Sequence, residues 1–411
     1  MLNPAFARIG LSPIVEISER IRDVAPRWEA RTGGKFAFLQ RGELADNTPA
    51  YITRAIGQAI EAGLTRYPKS GGEPWFKDAV LARLAATGLT GLGREHVLCT
   101  YGGQEGLQLV FNAFAGGRVV AFAPIWSCVI DNIAPYAGCT LDPVALIERD
   151  GALEIDFAQV EAKLPGAALL YVNSPQNPTG KVFSRAELAR LNDLCVKHGV
   201  SIVSDEAYED FVFGGAKHIS LLEFPGDHIF AVYTCSKSYA ATGFRIGYTV
   251  CRNADIIGKL TLGEYTQTGG VVPFIQKAFA VAMTSTGERE AWLQPLMERF
   301  SRRRDLIVER LGPVLGTGLY RPEGAFYFFL NLKGLIPEAP AGAAQGEFTL
   351  QRFLDAGVAV IPGTAFGGPE YAHHVRVSFS GIEEAELGKA LDRITTQVFT
   401  GAKRAISGTG S

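Results

Sequence analysis

The sequence predicts an α/β protein: a large domain built on a mostly parallel, doubly wound sheet, followed by a smaller α+β domain. Three observations predict it. Between about residues 75 and 280, short apolar runs recur without polar alternation; capped helical segments separate them; and from about residue 290 the chain changes to a long charged helix followed by short alternating strands. Continuous apolarity marks strands covered on both faces, the condition of a parallel sheet between helix layers.

In chain order, "HVLCTY" (96–101), "RVVAFAP" (118–124), "AALLYVN" (167–173), "VSIVSDE" (200–206), "IFAVYTCS" (229–236) and "GYTVCR" (247–252) read as strands. Between the third and fourth lies "SRAELARLNDLCVKHG" (184–199), a helix with Ser184 as N-cap, Glu187 completing a capping box and Gly199 as the stop. Beyond it come the helix "REAWLQPLMERFSRRRDLIVERL" (289–311), the strands "GAFYFFLNL" (324–332), "VAVIPG" (358–363) and "HVRVSFS" (374–380), and a final helix. "APAGAAQGE" (339–347) reads as a loop and "SGTGS" (407–411) as a frayed end. A chain of 411 residues exceeds one core, so residues 46–290 are assigned to the large domain and 291–411 to the small one, which residues 1–45 join.

Composition excludes several classes. Forty Lys and Arg against 42 Asp and Glu leave a net charge of -2, without the basic excess that a nucleic-acid partner requires. The six cysteines (99, 128, 139, 195, 235, 251) form no C-x-x-C pair and lie near no histidine at ligand spacing, so no metal site or disulfide framework is expected; free thiols point to the cytoplasm. No apolar run reaches the 18 or so residues of a membrane span, and the start lacks the pattern of a secretory signal.

Chemistry collects just past the predicted strands, where open α/β sheets form their ligand crevice. "GGQEG" follows the first strand, "SPQNPTG" the third, "DEAYE" the fourth and Lys237 the fifth. Alone, each has an ordinary explanation: a tight turn, an Asn-Pro turn, an N-cap, a solvated lysine. In this order on successive strands, and with "CSKSYAATGFRIGY" (235–248) carrying Lys237 and Arg245, they resemble the class I/II aminotransferase family of pyridoxal phosphate (PLP) enzymes of fold type I, within the aspartate aminotransferase superfamily. The resemblance extends from "RGE" (41–43) through "RYPKSGG" (66–72) and "PIW" (124–126) to "EGAFYFF" (323–329), "PGTAFG" (362–367) and "VRVSFS" (375–380). One departure is Thr234, where the family usually carries Ser or Gly.

The resemblance implies roles. Lys237 would form the internal aldimine with PLP and then carry the proton between the substrate Cα and C4'. Asp205 would pair with the pyridine nitrogen, and Tyr208 and Asn177 would hydrogen-bond the ring O3'. Trp126 would stack on the ring; Gly103, Gln104, Thr234 and Arg245 would hold the phosphate, joined by Tyr67 from the partner of a homodimer. Arg376 would grip the substrate α-carboxylate as a bidentate fork, with Gly42 and Asn177 beside it. His373 and His374 are read as structural.

The implied activity is transfer of an amino group between an L-amino acid and a 2-oxo acid. The alternative is a PLP-dependent lyase, synthase or oxidase of the same fold acting on a specialised amino acid. A ligand sensor fused to a DNA-binding module is disfavoured, because the family pattern begins within about the first 40 residues. Dicarboxylate specialists of the family recruit a second arginine from the partner some 30 residues past the lysine, but this chain has none between Arg252 and Arg289. That disfavours an aspartate-dedicated enzyme of that type while leaving open other subgroups that bind acidic side chains by other groups. "EYTQTGG" (264–270) and Trp126 instead suggest a neutral, polar or aromatic side chain; Glu264 is a candidate partner for a basic one, though more simply a helix-surface charge.

Overall fold

The computed structural model describes residues 4–399; the expected frayed end at 407–411 lies outside them. Seven strands form the main sheet: β1 (Val97–Thr100), β2 (Arg118–Ala123), β3 (Thr140–Ala145), β4 (Leu169–Asn173), β5 (Ser201–Asp205), β6 (Ile229–Thr234) and β7 (Gly247–Val250). Their order across the sheet is β1-β7-β6-β5-β4-β2-β3, and β7 alone runs against its neighbours.

The apolar runs are buried on both faces because the pleat divides them between two layers. In β4, Leu170 and Val172 join one core with Phe183 and Leu191 of the segment that follows; Leu169 and Tyr171 join the other with Leu107, Val110 and Phe111. Those last three belong to α2 (Gly102–Ala113), α1 being Pro13–Thr32. The expected helix is α3 (Arg185–His198): Ser184 accepts from the Glu187 amide, the Glu187 carboxylate accepts from the Ser184 amide, and Gly199 closes it at φ 65°.

Sequence reading missed β3, "TLDPVA", and the reason is physical. It is an edge strand, half-exposed, where Pro143 is tolerated and Asp142 pairs with Arg118 and Lys163, so it lacks the continuous apolarity of its neighbours. The loop expected over 339–347 ends earlier than expected, because a helix begins at Gln345.

A third core lies beyond the sheet. The long helix α5 (Thr286–Leu315), preceded by α4 (Ala254–Thr268), contributes Leu296, Phe300 and Ile307 to it. Strands β8 (Tyr327–Asn331), β9 (Ile361–Pro362) and β10 (His374–Ser378) form an antiparallel sheet ordered β8-β10-β9. Ile17, Ile21 and Trp28 of α1 pack into the same core, and Ala37–Phe38 pairs in parallel with Val358–Ala359. Chain from both ends of the sequence thus meets over the crevice of the main sheet.

Candidate active site

Six strand ends converge. The parallel strands β1, β2, β4, β5 and β6 present their C-terminal ends on one edge, and antiparallel β7 presents its start there: Gly247 is in register with both Thr100 and Thr234. Of the residues assigned above to catalysis, cofactor and substrate, all but Tyr67 line one cavity of about 260 Å³ on this edge.

Asp205 ends β5 and is buried. Tyr171 donates to its Oδ2 at 2.9 Å and the Ala207 amide to its Oδ1 at 3.2 Å. Burial pushes the carboxyl up to about 6, with those two hydrogen bonds pulling the other way.

Lys237 follows β6 on the helical turn Cys235–Ser238, whose first turn is capped by Thr234 accepting from the Ser236 amide at 3.2 Å. Its Nζ donates to the Gly42 carbonyl at 2.7 Å. Burial depresses the ammonium to about 8; Glu43 works against that shift, while Arg376 and Arg245 add to it. Gly42 must lack a side chain, since a Cβ there would lie 2.8 Å from the Tyr327 hydroxyl.

Gly103 and Gln104 lie in the first turn of α2, which starts at Gly102. The amides of this first turn have no partner within the helix, so they form the N-terminal cradle an anion needs. Arg245 adopts φ 53°, in the left-handed region, and donates to the Thr242 carbonyl at 2.8 Å; its Nη2 lies 3.0 Å from where a Gly102 Cβ would be. Gly247 permits the approach, because a Cβ there would stand 2.4 Å from the Tyr233 carbonyl and 3.0 Å from the Gly103 nitrogen.

Across the cavity, Arg376 sits in the middle of its sheet, on β10 between Phe329 and Ile361, and is 1% exposed. Nη1 donates to Asn177 Oδ1 at 3.1 Å and Nη2 to the Gln40 carbonyl at 2.8 Å, while Nε has no partner. The guanidinium stands over the rings of Tyr327 and Phe366 at 4.5 and 5.1 Å, and burial lowers its proton affinity. Asn177 links it to Tyr208, donating to that hydroxyl at 3.4 Å; Tyr208 in turn shares a 2.8 Å hydrogen bond with Tyr327.

Two residues stand elsewhere. Tyr67 is 98% exposed and outside the cavity. Glu264, expected on a helix surface, is 0% exposed: it accepts from the Gly71 amide at 3.4 Å and burial raises its carboxyl to about 7. The loop 66–72 covers it, and no helical periodicity reports a cover from nearly two hundred residues away.

Sequence reasoning missed Tyr171, Tyr327 and Ile14. Ile14 and Tyr327 line the cavity, Ile14 by virtue of α1 crossing its mouth. Tyr171 carried a signal: a tyrosine inside a doubly covered strand needs a partner for its hydroxyl.

Known proteins resemble this chain in sequence and in fold. Residues 38–394 match the family described as "Aminotransferase class I and II". An aspartate/prephenate aminotransferase of Thermus thermophilus is 31% identical over 390 residues, covering 93% of this chain and 97% of that one. A probable aspartate/prephenate aminotransferase of Rhizobium leguminosarum bv. phaseoli is 30% identical over 416 residues, covering 98% and 99%. The solved structure of Thermus thermophilus aspartate aminotransferase with maleate superposes at a TM-score of 0.86 with 29% identity, over 97% of this chain and 100% of that one.

Proposed function

The chain belongs to the class I and II aminotransferase family, whose enzymes move an amino group between an amino acid and a 2-oxo acid, and we propose that it does so with pyridoxal 5'-phosphate held around Lys237. One observation carries this reading. The cavity holds the buried Asp205 carboxylate and Arg376 guanidinium and the half-buried Lys237 ammonium, and among the described residues none of the three is within ion-pair distance of an opposite charge. Buried charges persist when a ligand supplies their partners. A pyridine nitrogen, an aldehyde and an α-carboxylate are partners of the right kinds, and the α2 amides with Arg245 suit a phosphate.

When bound, the cofactor supplies an electron-withdrawing ring that acidifies the substrate Cα–H bond. Asp205 holds a proton on the ring nitrogen by charge. Asn177 Nδ2 and the Tyr208 hydroxyl are the donors for the ring oxygen, and Trp126 covers a ring face. The amides of Gly103 and Gln104, the Thr234 hydroxyl and Arg245 hold the phosphate. Lys237, depressed to about 8, keeps a neutral fraction near neutral pH and takes the proton from Cα. Arg376 holds the α-carboxylate so that the Cα–H bond faces that amine.

The charged side chains lining the cavity are Asp205, Lys237, Arg245 and Arg376. All four are committed, so within this cavity no charged side chain remains for a second carboxylate, which suits a donor with a neutral or aromatic side chain. The test mixes PLP-loaded protein with a panel of amino acids, aspartate included, without oxo acid. One equivalent of 2-oxo acid per site and no ammonia is expected, with neutral or aromatic donors ahead of aspartate in kcat/KM. Ammonia release or oxygen consumption would move the reaction to a lyase or an oxidase.

The working unit is proposed to be a homodimer. Tyr67 is almost fully exposed within the loop 66–72, and Leu262 and Tyr265 of α4 are exposed at 60% and 59%. Sedimentation should give twice the chain mass, and Tyr67→Phe should weaken PLP binding about tenfold, the size of one hydrogen bond to a charged group, without splitting the dimer. A fully active monomer would refute this. The six cysteines are free thiols, which supports a cytoplasmic setting. No described helix is long and apolar enough to cross a membrane.

A further inference from the structure

We propose that Tyr171 is the positioning residue for Asp205: its hydroxyl fixes the carboxylate's orientation and keeps it anionic, so that Asp205 is ready to hold the protonated ring nitrogen. This rests on the cofactor reading above.

The geometry comes from strand register. Asn173 of β4 lies beside Asp205 of β5, and Tyr171 lies beside Val203, so the tyrosine is the diagonal neighbour of Asp205 on the same face of the sheet. That face packs against α2, where the Tyr171 ring meets Phe111 edge-on at 6.3 Å. The ring is therefore clamped, and its hydroxyl has one described partner, Asp205 Oδ2 at 2.9 Å. With the Ala207 amide on Oδ1, each carboxylate oxygen has one fixed donor. The carboxylate cannot rotate without losing both, and each oxygen keeps a lone pair for the cavity it lines.

The remaining groups facing Asp205 do not duplicate this donor. Glu206, next along the chain, and Cys128, from the segment after β2, disfavour a second negative charge; Lys237 favours it; Tyr208 is turned toward Tyr327. Tyr171 itself is held well above the usual phenol range by burial and by Asp205, so it stays a donor throughout the working pH range.

The test is equilibrium dialysis of PLP against apoprotein as a function of pH, for the wild type and Tyr171→Phe. In the wild type, affinity should fall as pH drops through about 6, where Asp205 takes up a proton. In the variant the ring still fills its place, but Asp205 keeps its proton to higher pH. The midpoint should rise by about one to two pH units, the size of a hydrogen bond to a charged group. Titrations of PLP and Lys237 are common to both proteins and cancel. In an Asp205→Asn background, with no charge to tune, Tyr171→Phe should leave the pH dependence unchanged.

A variant that binds PLP more weakly at every pH with an unmoved midpoint would make Tyr171 a packing residue and overturn the inference. An equal shift in the Asp205→Asn background would do the same. A wild-type apoprotein that bound no PLP would overturn the cofactor reading beneath it.

Discussion

Lys237→Ala should lose at least about 10⁴-fold in turnover, the upper range for removing one proton-transfer group, before the lost covalent link to the cofactor is counted. The fold should survive, because Lys237 is a cost to the apoprotein. Its ammonium titrates near 8 when folded against an ordinary value of 10.5. Between those values the unfolded chain binds the proton and the folded one does not, so stability rises with pH there; below about 8 the full penalty applies. Removing the amine therefore helps the apoprotein most below pH 8. Circular dichroism and a melting curve at pH 7 should show an intact protein at least as stable as the wild type, while the visible band of lysine-bound PLP disappears. Turnover within tenfold of the wild type would refute the assignment, whatever the melting curve shows.

The same residue explains what was legible in the sequence. Lys237, Asp205 and Asn177 sit directly after apolar strands, and strand ends are the one place where a linear pattern reports three-dimensional convergence, because parallel strands present their C-terminal ends together. Arg376 was legible for a different reason: "VRVSFS" resembles the family pattern, and a charge inside a predicted strand is costly unless it is paired. What was illegible depended on partners distant in sequence. The cover over Glu264 comes from the loop 66–72, and the importance of Tyr171 comes from a register with β5 that no local pattern encodes. Strand β3 escaped because an edge strand has no need to be apolar throughout.

Arg376→Met should separate binding from stability. The guanidinium is buried with two neutral acceptors, two aromatic faces and an unpartnered Nε, an arrangement that leaves most of its charge uncompensated until a carboxylate arrives. Methionine fills similar space without a charge, and replacing a buried, poorly paired ion by an apolar side chain is often neutral or stabilising. Against that, the Gln40 carbonyl and Asn177 Oδ1 lose a donor, a cost of about 1–3 kcal/mol for each group left unsatisfied. The melting temperature should therefore stay close to that of the wild type. Ligand binding has no such offset: losing a bidentate, charge-assisted contact of about 3–4 kcal/mol should reduce kcat/KM by about 10²–10³-fold. PLP should still bind. The loss should be the same for every amino acid and 2-oxo acid, since all present the same α-carboxylate. Measuring kcat/KM for donors with short, polar and aromatic side chains decides it. Losses that differ by more than tenfold among donors would mean that Arg376 reads side chains, and would move the α-carboxylate to another part of the cavity.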